Sequence, residues 1–348
     1  MVSQIERWAL FLVAIPLSLF WGSLTLLSVV YDAVRSRGKA FRSVARPTQP
    51  ALLSDPLWGT HHFATLSTGV KLHYVQKGDG APLILLHGFP EFWYSWRNQL
   101  VSLSSTFKVI AVDMRGYGDS DKPNGVRNYS MDKIVADIVE LVHVLGYKKV
   151  TLAAHDWGGM IAWALAMSNP EVLERLVILN CPHPVVFREQ GPKNPAQLLK
   201  SWYIFMFQLP FLPEIVAHMY DQRQIYAAFC GRKMGCVRKG AYSPEDLDCY
   251  KYMLARPYAT TAAINYYRNL FIPWIPQVPT RRIDVPTLII WGDRDQALES
   301  SLADHAAKHV TNVTVRHLAN ASHWVQHDEP ERVNTFIREF ATTGQVSS

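Results

Sequence analysis

The run KVTLAAHDWGGMIAWALA, from Lys149 to Ala166, constrains this chain more than any other stretch. A short apolar strand passes into a helix with room for one sharp turn around Asp156. Small residues two before (Ala154) and two after (Gly158) let that turn tighten and present the Asp156 side chain at the end of a sheet. The helix N-terminus behind it favours a negative charge there. A plain helix N-cap would also account for an Asp at this point, so the reading depends on its surroundings.

Those surroundings supply a sheet. The segments PLILLHG from Pro82, FKVIAVD from Phe107, RLVILN from Arg175, VPTLIIWGD from Val285 and VTVRHL from Val313 have the length and β-branching of strands. Met131–Leu145 and Met160–Met167 have helical spacing. Apolar strands alternating with helices imply a parallel sheet covered on both faces. The alternation breaks from about Val186 to Pro279, a stretch rich in aromatic residues, Met and Pro that reads as a helical insertion over one end of the sheet.

Composition narrows the class. The chain has 348 residues, 49% hydrophobic and 18% charged, which is too apolar for disorder and too mixed for a polytopic membrane protein. From Trp8 to Tyr31 no residue is charged, about 24 residues and enough to cross a hydrocarbon core of roughly 30 Å. Arg35, Arg37, Lys39, Arg42 and Arg46 follow at once. The basic excess is thus a membrane flank and not a nucleic-acid surface. It predicts a single-pass anchor with the body of the protein on the cytosolic side, at the endoplasmic reticulum. The boundaries expected are an anchor over 1–37, a linker over 38–57, a first core segment over 58–185, a helical cap over 186–279 and a second core segment over 280–348. Cys181, Cys230, Cys236 and Cys249 lack metal-ligand spacing, and free thiols are expected.

A carboxylate at a sharp strand-to-helix turn can displace a leaving group at saturated carbon, giving an ester that water must then cleave. Cleavage requires an oxyanion hole and a base. His87-Gly88-Phe89-Pro90 can turn the Phe89 N–H toward Asp156, with the Trp157 N–H as second donor and a cis bond before Pro90. Asp295 and His323 each follow a strand, in the order nucleophile, acid, histidine. Asp293 competes with Asp295 for the acid role.

The motifs HGFPEFWYSW, DMRGYGDSDKP, HDWGGMIAW, WGDRDQAL and ASHWVQHDEPERV resemble the epoxide hydrolases of the α/β-hydrolase fold, over residues 58 to 342. With the N-terminal apolar run, the chain looks like their membrane-anchored vertebrate branch. The resemblance implies an α/β-hydrolase fold with a helical cap and an N-terminal transmembrane helix. It implies Asp156 as nucleophile, Asp295 and His323 as the relay, and Tyr203 and Tyr267 in the cap as proton donors to the epoxide oxygen. His87, Pro90 and Trp157 are expected to contact substrate. No cofactor and no metal are implied; the partners are a lipophilic epoxide and membrane lipid. Two other readings stay open, a dehalogenase of the same fold and a catalytically silent binding protein.

Overall fold

The computed structural model describes residues 3–275 and 279–347. Residues 276–278, near the end of the expected cap, lie outside the described residues. Eight strands form one sheet: β1 (Thr60–Thr65), β2 (Lys71–Lys77), β3 (Ala81–Leu86), β4 (Phe107–Val112), β5 (Val150–His155), β6 (Leu173–Leu179), β7 (Thr287–Gly292) and β8 (Val313–Leu318). Their spatial order is β1-β2-β4-β3-β5-β6-β7-β8. The first two strands run antiparallel at one edge, and β4 through β8 are parallel.

Burial on both faces follows from the two-residue period of a strand. Ile84 and Leu86 of β3 enter one apolar cluster with Ile134 and Ile161 of the helices Met131–Val144 and Trp157–Ser168. Leu83 and Leu85 enter the opposite cluster with Leu100 and Phe340 of the helices Arg97–Leu103 and Pro330–Thr343. The carboxyl ends of the parallel strands therefore stand at one rim of a rigid slab, which is where ligands of such sheets are handled.

Between β6 and β7 the chain leaves the sheet for a set of helices over that rim, among them Pro195–Lys200, Trp202–Met206, Leu212–Phe229, Pro244–Ala255 and Ala259–Arg268. The longest is interrupted: Tyr220, Asp221 and Gln222 all have φ between 51° and 58°. Left-handed backbone costs an L-residue about 1–2 kcal/mol, so the turn needs outside support. Asp221 supplies it by accepting the Val44 N–H at 2.9 Å, a two-pronged bond from Arg46 at 2.7 Å each, and Lys251 at 3.0 Å. Arg46 therefore serves this turn and is not a free flanking charge. The hydrogen bond from Arg46 holds the Asp221 carboxyl below the usual carboxylate range.

The helix Gln4–Arg35 is long and apolar enough to cross a membrane. One face, Ala14, Ser18 and Gly22, is buried against the cap, while Leu12, Leu19, Phe20, Leu26 and Leu27 face outward. The stretch after it, expected as a plain linker, is pinned to the body: Ala40 and Leu53 are fully buried. Its Pro- and Arg-rich composition hides these two apolar contact points. All four cysteines are free.

Candidate active site

All six residues of β5 are buried, and the strand ends against Asp156, which sits at φ 50° and ψ −119°. An L-residue holds such a backbone only when its neighbours over-determine it. Here the neighbours are backbone surfaces that exclude a Cβ. One placed on Gly158 would meet the Leu86 carbonyl oxygen at 2.4 Å, and one on Gly88 would meet the Asp156 Cβ at 2.4 Å. These glycines let the β3 loop and the turn after β5 touch. As a result the Phe89 N–H donates to Asp156 Oδ1 at 2.8 Å, beside a cis Phe89–Pro90 bond. The Trp157 N–H opens the following helix, where it has no intrahelical acceptor.

His323 lies in the loop after β8, its Nε2 3.5 Å from Asp156 Oδ2. Its Nδ1 donates to Asp295 Oδ2 at 2.7 Å. Asp295 is fixed in turn: Oδ1 accepts the Ala297 and Leu298 N–H groups at 2.7 and 2.9 Å, and Oδ2 accepts Asn180 Nδ2 at 2.7 Å. The competing Asp293 points away and pairs with the half-exposed His317 at 2.6 Å.

Electrostatics follow from this cluster of two carboxylates around one imidazole. Burial alone would lower the His323 pKa, but the charge on Asp295 and the hydrogen bonds to both carboxylates push it up to about 10. Burial works against ionising Asp156, yet the hydrogen bond and charge of His323, with the Phe89 N–H, leave its carboxyl below the ordinary range. The resting site is therefore an ion triad, Asp156⁻, His323⁺ and Asp295⁻.

Facing this triad is a cavity of about 450 Å³ lined by Phe89, Pro90, Asp156, Tyr203, Tyr267 and His323 among others. Tyr203 and Tyr267 meet edge to face, ring centres 5.8 Å apart. Burial and then the Asp156 charge raise the Tyr203 phenol, and burial with Tyr203 beside it raises Tyr267 well above the ordinary value. Both phenols are therefore protonated donors. The nearby tyrosines are engaged elsewhere: Tyr266 donates to the Arg115 carbonyl at 2.7 Å, and the Tyr258 hydroxyl accepts the Gly125 N–H at 3.0 Å.

Two expected substrate contacts need correction. His87 is fully buried behind the loop, donating from Nδ1 to the Gly88 carbonyl and accepting the Met114 N–H at Nε2. Its place at the end of an apolar strand gives it the cavity's back wall, not its lining. The Trp157 ring is likewise buried, edge-on under Tyr267 at 4.9 Å, and supports that ring from below.

The sequence reading missed a buried polar layer beneath the site. Glu91 Oε2 shares a hydrogen bond with His155 Nδ1 at 2.7 Å and accepts the Gly88 N–H at 3.0 Å, while His155 Nε2 donates to the His323 carbonyl at 2.8 Å. Asn180 bridges Asp295 and the Gly292 N–H. Each is a polar residue ending or flanking an apolar run, a signal that points to burial with a partner but does not name the partner.

Sheet order and connectivity are those of an α/β hydrolase, with the carboxylate of Asp156 at the strand-to-helix turn after β5. Residues 81–330 match the model of the alpha/beta hydrolase fold family. The human protein named epoxide hydrolase 4 is 42% identical over 325 residues, covering 91% of this chain and 89% of that protein. Epoxide hydrolase 3 of Xenopus tropicalis is 37% identical over 326 residues, covering 91% and 88%. Among solved structures, an epoxide hydrolase of Bacillus megaterium in complex with an inhibitor is 31% identical, with a TM-score of 0.74, covering 81% of this chain and all of that one. The chain belongs to the epoxide hydrolases of the α/β-hydrolase family.

Proposed function

We propose that the protein hydrolyses lipid-derived epoxides to vicinal diols through a covalent ester on Asp156. The observation that carries this is a carboxylate, Asp156, and two tyrosines, Tyr203 and Tyr267, lining one cavity, with His323 Nε2 3.5 Å from the carboxylate. Tyr203 and Tyr267 donate hydrogen bonds to the epoxide oxygen while Asp156 attacks a ring carbon from the opposite side. The C–O bond breaks toward oxygen, which takes a phenolic proton, and an ester forms. Asp156 is then neutral. His323 loses one of the two charges that raised its pKa, gives up its proton, and the phenol is restored through solvent. The neutral imidazole, held by Asp295, takes a proton from water, which adds to the ester carbonyl. The N–H groups of Phe89 and Trp157 hold the oxyanion. Collapse releases the diol as His323 returns its proton.

The apolar cavity and the apolar N-terminal helix support a lipophilic substrate met at a membrane. Arg35, Arg37, Lys39 and Arg42 favour the cytosolic side for the body of the protein, at the endoplasmic reticulum. Against the dehalogenase reading stand the paired phenols, which suit a basic leaving oxygen better than a halide. The test assays diol and chloride release from epoxides and chloroalkanes, with wild type and Asp156→Ala. Diol from the wild type only, without chloride, is expected. Diol from Asp156→Ala within about tenfold of wild type would remove Asp156 as nucleophile.

A further inference from the structure

The cavity that holds Asp156 does not end at the cap. Its outer lining includes Trp202, Gln224 and Ala227, and the same three residues line a second hollow of about 380 Å³. The far wall of that second hollow is the N-terminal helix itself, with Leu24, Thr25, Ser28 and Val29. One thin partition of cap residues therefore separates the reacting carboxylate from the helix that is apolar enough to lie in a membrane.

The contact between helix and cap is built, not incidental. Ala14, Ser18 and Gly22 fall at four-residue intervals on the buried face, the small-residue pattern that lets helices approach closely in an apolar medium. Trp21 packs on Trp202 at 5.8 Å and Trp8 on Trp274 at 6.0 Å. Val29 joins Met219 in a small apolar cluster at the other end. From Trp8 to Val29 the contact runs roughly 30 Å along the helix. Wherever the helix sits, this face of the cap sits with it, and the cap presents Leu199, Phe211, Ile215 and Trp274 to the outside on or near that side.

Depth is also specified. The hollow lies along the last two apolar turns of the helix, just before Asp32, Arg35 and Arg37. Such a transition from apolar to basic residues marks the boundary between hydrocarbon and head groups. The hollow's lining combines apolar side chains (Leu24, Val29, Val216 and Met219) with the charged Asp32 and Arg223, which suits an amphiphile.

We propose that this hollow is a membrane-side portal, through which long-chain epoxides pass from the bilayer past Trp202 to Tyr203 and Asp156. The N-terminal helix is then a wall of the substrate path as well as an attachment. The proposal rests on the epoxide-hydrolase reading, and two substrates separate the two claims. Ser28→Trp fills the hollow from the helix side, far from the reacting groups. Full-length protein in phosphatidylcholine vesicles is given the epoxide of methyl oleate dissolved in the vesicles, or styrene oxide added from buffer.

The expected result is a fall of at least about tenfold in kcat/KM for the long-chain epoxide, with styrene oxide unchanged within about twofold. Equal rates for variant and wild type on the long-chain epoxide would overturn the portal while leaving the catalytic reading intact. A wild type that makes diol from neither substrate would overturn both. If Ser28→Trp loses styrene oxide turnover as well, Val216→Phe fills the hollow from the cap side, and the same pair of substrates decides. Parallel loss of both substrates in that variant too would also overturn the portal.

Discussion

The division of labour at this site turns on single charges. His323, the charge of His155 and the Phe89 N–H together hold the Asp156 carboxyl below its ordinary range, and the two carboxylates beside His323 raise its pKa. In the proposed mechanism alkylation removes one of those charges, so the event that makes the ester also frees the base that cleaves it. The two phenols act on one oxygen, and either alone can still polarise it. Tyr203→Phe and Tyr267→Phe should each slow ester formation by about 10- to 100-fold, the worth of a hydrogen bond to a charged group. The double change should lose more than the two single losses multiplied together, since no donor then remains. Rapid-quench measurement of the single and double variants checks this; a double variant at wild-type rate would mean another group protonates the leaving oxygen. That Asp156, Asp295 and His323 come together was legible in the sequence because each follows a strand in a set order. Glu91 and Asn180 were not, since their meaning lies in partners 64 and 115 residues away.

Among the elements, the turn after β5 does most to set the site. Gly158 lets the helix N-terminus press on the β3 loop, and a methyl group there would run into the Leu86 and His87 carbonyl oxygens at 2.4 and 2.6 Å. Backbone on both sides cannot rotate away. Gly158→Ala should therefore destabilise the fold by about 1–3 kcal/mol, as overpacking does, and thermal unfolding should show the melting point falling by several degrees. An unchanged melting point would mean the turn is looser than its contacts imply. The five parallel strands β3 to β7 stood out in the sequence because burial on both faces makes them largely apolar, and the edge strand β8 did so by its β-branching. The edge pair β1 and β2 did not: Thr60–Thr65 is mostly exposed, and its polar alternation lacks an apolar run. The left-handed turn at Tyr220–Gln222 was equally hidden, because Arg46, far away in sequence, helps hold it.

On the scale of the whole molecule, sheet and cap enclose the cavity of Asp156, and the N-terminal helix packs on the outer side of the cap beside a second hollow. With the helix as the proposed anchor, its orientation decides which compartment supplies water and receives diol. With Arg46 paired to Asp221 and Asp248, the free basic flank is Arg35, Arg37, Lys39 and Arg42, still enough to favour a cytosolic body. Asn312 and Asn320 are exposed acceptor sites for N-glycosylation in Asn-Val-Thr and Asn-Ala-Ser. Protein expressed in animal cells should show no mass shift on endoglycosidase treatment; a shift would put the body in the lumen.

The covalent step is the claim on which the mechanism depends, and it can be observed by itself. In the proposed scheme ester formation needs Asp156 and a phenol donor but no base, whereas ester cleavage needs His323. In His323→Gln the ester should form once and persist. Intact-protein and peptide mass spectrometry after incubation with an epoxide should find one added substrate mass, located on the peptide that carries Asp156. A variant that binds the epoxide, loses turnover and carries no adduct at Asp156 would contradict the account.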